Sequence, residues 1–457
     1  MLALFREGKM GLRARSILIL VLAVAGCDGD VSSDPAEAQK AIASPPAGEL
    51  YPKFAVGGVS LSDAAIGSGS ATDVLSKGTS IYVGGSFRTF ASGDSSGRWR
   101  IEKRNAGSGS LIRKFMSNVS TDLPLGTVTR LAADQDWLYV AGIEYLGSTD
   151  GLPNFAWRVE KRNLVSGKRA PAFGDNGVLF LDYSPNVDIC RAIVLQGPNL
   201  FLIGEDQIPF DIAGPVRQQW RIEKRSAETG ALDPVFGNGG VVTYYQDPGP
   251  GNGFFVETRD AVVVGASLFV AGTEGGQWRI EKRDLVTGAL DPAFGAAGVV
   301  TRDPSLNPDE ARRIISDGSF LYVAGFEATL GSGRRWRIEK LNAVTGGLDP
   351  SFGTGGSVLP LPEGVNTQPT SIAMVGGDLY VAGIHSSMDQ ILDLHCIVLK
   401  MNVSDGGLSS TFGSGGIVDV NPTSGIDWLN GLATDGSALY LAGVQNDAQW
   451  RIEKRAR

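Results

Sequence analysis

Side-chain catalysis needs a nucleophile, a general base or a metal, and this 457-residue chain is sparing with the residues that usually supply them. It has two histidines, His385 and His395, and three cysteines, Cys27, Cys190 and Cys396. These few residues do not assemble into a Cys/His zinc pattern, so neither a metal centre nor a cofactor is expected. General-base chemistry has little to draw on. Carboxylates are plentiful, with 49 Asp and Glu, so an enzyme acting on polysaccharide through a carboxylate pair stands as the alternative to a protein without catalysis. A recurring Gly-x-Gly-Gly phrase would suit a phosphate cradle at a helix start, but here a Val-Val strand follows it, which makes it a turn. Asp233-Pro234 and its copies likewise read as turn initiators.

Two sets of polar residues have telling positions. Arg191, Arg259 and Arg312 each precede a recurring glycine by thirteen residues, and Asp206, Glu274 and Glu327 each follow that glycine by two. Brought together at one mouth they would suit a polar or anionic ligand. Left to themselves they would neutralise one another. The outcome depends on the elements that carry them.

Those elements are internal repeats. Trp-Arg-Ile-Glu-Lys begins at Trp99, Trp220, Trp278, Trp336 and Trp450, with a near copy at Trp157 and a degenerate one from Cys396 to Lys400. The starts are 58, 63, 58, 58, 60 and 54 residues apart. A Leu-Asp-Pro-x-Phe-Gly-x-Gly-Gly-Val phrase places Phe54, Phe115, Phe173, Phe236, Phe294, Phe352 and Phe412 on the same beat. A Tyr-Val-Ala-Gly phrase does so for Gly85, Gly142, Gly204, Gly272, Gly325, Gly383 and Gly443. Each unit holds four strand-like pieces, a to d, joined by turns. Four antiparallel strands in about sixty residues, seven times over, predict an all-β, seven-bladed β-propeller. The last unit stops after strand c, and Leu50 to Phe54 supplies a spare strand d. The N-terminal strand is therefore expected to pair with the last blade and close the ring, removing both sheet edges.

The two phrases, at this spacing, resemble the delta-60 repeat, a bacterial propeller repeat of unestablished function. The resemblance runs from about Leu50 to the C-terminus, and the second unit departs from it at Phe115-Met116-Ser117-Asn118, which lacks the glycine pair. It implies the propeller fold and carries no catalytic residue with it.

Strand alternation puts Trp, Ile and Lys of the repeated phrase on one blade face and Arg and Glu on the other. The tryptophans are expected between blades, and pairs such as Arg221/Glu223 at blade margins. Cys190 and Cys396 fall in non-adjacent blades and are expected to be unpaired and buried.

Residues 1 to 26 read as a lipoprotein signal peptide: Arg6, Lys9, Arg13 and Arg15 precede an apolar run from Ile17 to Ala25, too short to span a bilayer. Val24-Ala25-Gly26-Cys27 resembles the bacterial lipobox, which implies a lipidated Cys27 as the mature N-terminus. Residues 27 to 49 read as a flexible tether, and 50 to 457 as the propeller. Without the signal, 37 basic residues face 48 acidic ones, a net charge of −11. This argues against nucleic acid as a partner and leaves membrane attachment to the lipid alone.

The a-b and c-d turns are uniform, whereas the b-c and d-a connections vary in length and emerge on one face. That face is the expected binding surface for a protein or glycan. The overall expectation is a monomeric, non-catalytic binding or scaffold protein, lipid-anchored in the bacterial cell envelope on the periplasmic side or at the cell surface.

Overall fold

The computed structural model describes residues 44–61, 68–88, 97–115, 124–149, 152–208, 217–245, 256–329, 333–364, 367–386, 394–423, 425–446 and 448–457. The signal peptide, Cys27 and all but the last residues of the tether lie outside them, as do several b-c and d-a connections.

The fold is a seven-bladed β-propeller. Seven antiparallel sheets form from consecutive strands a, b, c and d, with a innermost. Blade four shows the pattern in Glu257–Val264, Ser267–Glu274, Gln277–Asp284 and Val299–Arg302. The strands a of all seven blades contact their neighbours in turn, including Trp428–Thr434 of blade seven against Gly69–Lys77 of blade one. Blade one has three strands among the described residues, since its fourth position falls at 116–123, the segment where the repeat phrase breaks down.

The three sequence markers are two packing devices. The strand-c tryptophans are buried and lie over the marker glycine in strand b of the next blade. A Cβ on Gly142 would stand 2.7 Å from Cζ2 of Trp99, and one on Gly325 would stand 2.6 Å from Cζ2 of Trp278. Glycine is required because only a bare backbone admits the indole. Each indole N–H has a partner there too: Trp157 donates to Glu205 O at 3.1 Å and Trp336 to Ile384 O at 3.1 Å. The third marker, the phenylalanine, packs within its own blade on an aromatic ring of strand b. The seven pairs, from Phe54 on Tyr440 to Phe412 on Tyr380, have centroids 5.5 to 6.3 Å apart. Six are edge-on and Phe54 on Tyr440 is tilted, arrangements that add to the area they bury.

The repeated arginine and glutamate do form pairs, but not at blade margins. In blades one to four and seven the glutamate is buried and held from both sides by arginines of its own strand, whereas in blade five Leu341 replaces the second and Glu339 has Arg337 at 2.7 Å and Arg302 at 3.5 Å. Glu223 accepts from Arg221 Nε and Arg225 Nε, both at 2.7 Å, and Glu281 from Arg279 Nε at 2.8 Å and Arg283 Nε at 2.6 Å. The second arginine lies two residues beyond the glutamate on the same face of strand c, one pleat farther along. A buried carboxylate is tolerated because two guanidinium groups satisfy it.

Ring closure occurs, with one correction. The strand that pairs with Gln449–Ala456 is Val59–Leu61, not Leu50 to Phe54. The Leu-Asp-Pro-x-Phe stretch is a turn whose first residue touches strand c in every blade: Leu232 bridges Arg225, Leu50 bridges Arg455, and in blade two Arg169 stands in the leucine's place and bridges Arg162. The turn is fixed by its aspartate, as Asp233 accepts from Val235 N at 3.1 Å and pairs with Lys224 Nζ at 2.8 Å. The chain then reverses through the glycines, with φ +99° at Gly240, and only the Val-Val that follows is extended.

Cys190 and Cys396 are free and buried, in strands a of blade three and c of blade six. Cys396 takes the place of the tryptophan in its blade.

Candidate functional site

The inner strands share an irregularity that positions the site. In every blade the a-b register slips by one residue at the same place, so one residue of strand a has no partner in strand b. In blade three Cys190 pairs with Gly204 and Ala192 with Ile203, which leaves Arg191 as the extra residue. A bulge of this kind turns a side chain out of the regular alternation. The seven bulged residues are Thr72, Thr129, Arg191, Arg259, Arg312, Thr370 and Asn430. All seven line one cavity of about 230 Å³ in the central channel, together with Arg130 and Arg313. The bulge lies near the start of strand a, so the cavity sits at the end of the channel nearer the d-a connections.

The bulged residues also tie the blades together. Thr72 Oγ1 donates to Val128 O at 2.6 Å, Thr129 Oγ1 to Cys190 O at 2.7 Å, and Arg312 Nε to Pro369 O at 3.1 Å. Thr370 Oγ1 donates to Leu429 O, and Asn430 Nδ2 to Ala71 O at 2.9 Å. Each acceptor is the residue just before the bulge of the next blade.

The three arginines singled out by spacing are thus neighbours on one wall of the channel. Their carboxylate partners differ from those the spacing pointed to. Arg191 Nε donates to Glu205 at 2.9 Å, Arg259 Nε lies 2.6 Å from Glu310, and Glu257 meets Arg259 Nη2. Arg312 Nη1 donates to Glu310 at 2.5 Å. Asp206, Glu274 and Glu327 instead turn outward to strand c. They pair with Arg221 at 3.3 Å, Arg279 at 2.5 Å and Arg337 at 2.9 Å. The reason is pleating: Asp206 shares a strand face with Gly204, and Gly204 is directly opposite Arg221.

Burial and charge pull against each other here. Burial pushes the Glu205 carboxyl up, with Arg191 and Arg259 opposing it. Burial pushes Glu310 up as well, but Arg312 and Arg259 outweigh it and hold the carboxyl below its usual value. Arg312 is pushed down to about 10 by burial and by Arg259 and Arg191 beside it, against the pull of Glu310. Burial pushes Arg313 well down and Arg130 nearby adds to it, with Asp260 opposing. Burial also pulls Arg191 down, but Glu205 and Glu257 outweigh it and hold that guanidinium above its usual value, so the compensation is uneven, weaker at Arg312 and Arg313 than at Arg191.

Two residues that spacing passed over belong to this set. Arg130 and Arg313 directly follow a bulge, where Asp73 and Asp260 in other blades accept from the next blade, Leu131 N at 2.8 Å and Ile314 N at 3.1 Å. The histidines lie at the outer end of blade six, His385 with Thr367 Oγ1 at 3.0 Å and His395 with Asp419 at 3.0 Å. No group of three or more potential metal ligands occurs among the described residues.

Comparison with protein families gives no match, and comparison with curated proteins gives none. Among solved structures, the chain is similar to the β-propeller domain of Cps50 (Swd1) from Myceliophteria thermophila. That likeness has a TM-score of 0.44 at 12% identity and covers 87% of this chain and 98% of the other. It is also similar to Drosophila Semaphorin 2a, with a TM-score of 0.43 at 10% identity over 89% of this chain and 76% of that one.

Proposed function

We propose that this is a non-catalytic binding or scaffold protein of the bacterial cell envelope, anchored by lipid on Cys27 and presenting the variable-loop face of a delta-60-type propeller to a protein or glycan. One observation carries the reading. The arginines of the inner ring converge on a cavity at the end of the channel where the variable connections emerge, while Asp206, Glu274 and Glu327 are each engaged by an arginine. A carboxylate pair for glycoside hydrolysis needs one acid kept protonated and one free base, and carboxylates clamped by guanidinium groups are poorly suited to either role.

The signal-peptide and lipobox features of residues 1 to 27 support the anchor. Metabolic labelling with an alkyne fatty acid should mark the wild-type chain and not Cys27→Ala. Binding is tested by presenting the purified chain to glycan and peptide arrays beside a turnover assay on polysaccharides. Retained ligand without turnover supports the proposal, and hydrolysis of any polysaccharide overturns it.

A further inference from the structure

The channel cavity has two chemically different walls. On blades three, four and five stand Arg191, Arg259 and Arg312, and on the remaining blades Thr72, Thr129, Thr370 and Asn430. Each threonine hydroxyl spends its proton on a carbonyl of the next blade, so toward the cavity it offers lone pairs. Asn430 spends its amide nitrogen on Ser70 Oγ and Ala71 O, which leaves its carbonyl oxygen as acceptor. One wall therefore donates from cations and the other accepts from neutral groups.

The donating wall has capacity to spare. Arg191 uses Nε, Arg259 uses Nε and Nη2, and Arg312 uses Nε and Nη1. Each keeps at least one terminal nitrogen without a protein acceptor among the described residues. Arg130, next to Thr129 on blade two, lines the same cavity and makes no side-chain hydrogen bond or ion pair among the described residues. Arg313 donates only to the Thr370 and Arg312 carbonyls. The carboxylates Glu205, Glu257 and Glu310 pair with the arginines without lining the cavity, and Asp73 and Asp260 are turned to backbone amides of adjacent blades. Unspent guanidinium N–H groups in a confined cavity call for an oxoanion, which they can meet with forked, charge-assisted bonds. Hydroxyl and amide lone pairs opposite call for hydroxyl donors on the same molecule.

We infer that the channel binds a monosaccharide-sized polyol carrying one oxoanion, either phosphate or carboxylate, with the anion on Arg191, Arg259, Arg312 and Arg130 and the hydroxyls on Thr72, Thr129, Thr370 and Asn430. The cavity of about 230 Å³ matches one sugar ring with its anionic group rather than a chain. The inference rests on the proposed binding role of this face and names the chemistry of its ligand.

Calorimetric titration of the full chain with glucose 6-phosphate, glucuronate, inorganic phosphate and glucose tests it. One of the first two should bind at least about tenfold more tightly than phosphate or glucose, since each loses one of the two walls. Which of the pair binds identifies the oxoanion. Arg130→Gln should weaken binding about tenfold while keeping a cooperative thermal transition, because that side chain makes no hydrogen bond or ion pair among the described residues that the fold would lose. Arg259→Lys, which keeps the charge and loses the fork, should weaken it too. No binding by either sugar acid, equal binding of inorganic phosphate, or unchanged affinity in both variants overturns the inference. If the sugar acids fail while the arrays return a ligand, the channel assignment falls and the binding role stands. If both fail, both fall.

Discussion

Asn430 and Ala71 are 359 positions apart in the chain, and the Nδ2 of the first donates to the carbonyl of the second at 2.9 Å. The same contact, made by threonine or arginine, recurs between other neighbouring blades, so Asn430 is where the inner ring meets its own beginning. Asn430→Leu should cost about 1 to 3 kcal/mol, because it removes one partner and leaves the acceptors on Ser70 and Ala71 without that donor. Urea unfolding of the variant beside the wild type measures it.

The interlock of tryptophan and glycine predicts that either partner is intolerant of change. Trp278→Ala should cost about 3 to 5 kcal/mol by removing a fully buried indole. Gly325→Ala should destabilise by about 1 to 3 kcal/mol, because its Cβ would meet Glu310 O at 2.1 Å and the indole at 2.6 Å. Thermal melts of the two variants test both figures.

The buried glutamates tie stability to pH. Burial raises the Glu160 carboxyl, but Arg162, Arg158 and Arg169 outweigh it and hold the group below its usual value. With the folded value depressed, its contribution is fully present above the unfolded value of about 4.3 and is lost as pH falls through the lower folded value. Glu160→Gln should therefore unfold more readily at neutral pH, and its urea midpoint should fall less steeply than the wild type's between pH 5 and pH 3.

Burial pushes both thiols, Cys190 and Cys396, far above the usual cysteine value. A thiol is reactive only as thiolate. Iodoacetamide should leave both unmodified in the folded chain at neutral pH and label both in urea, with mass spectrometry as the readout.

Much of the fold was legible because each marker serves a contact that every blade must make. Trp278 with Gly325, and Phe294 with Phe269, are needed wherever two strands or two blades pack, so their spacing announces the blade. Strand d was misplaced because Leu50 to Phe54 is apolar enough to read as a strand, whereas its aspartate-fixed copies show a turn that precedes the true one. The site was legible only in part. Arg191, Arg259 and Arg312 stood out by spacing, but the bulge that turns them into the channel is hidden, because strand a mixes polar and apolar residues without a steady alternation, as in Glu257–Val264 and Glu310–Ser316. Ala192 and Ile193 are adjacent and both buried, a break in period that only burial reveals. Without it, the outward turn of Asp206, Glu274 and Glu327 could not be separated from the inward turn of the arginines.

The account stands on a ring closed by the N-terminal segment, and amide hydrogen exchange in the last strand tests that directly. Lys454 N donates to Gly58 O at 3.1 Å and Ala456 N to Glu49 O at 2.8 Å. In the chain beginning at residue 44 these two amides should exchange slowly, and in one beginning at residue 62 they should lose that protection. Equal protection in both would mean that Gln449–Ala456 does not depend on residues 44–61, and the closed ring would be contradicted.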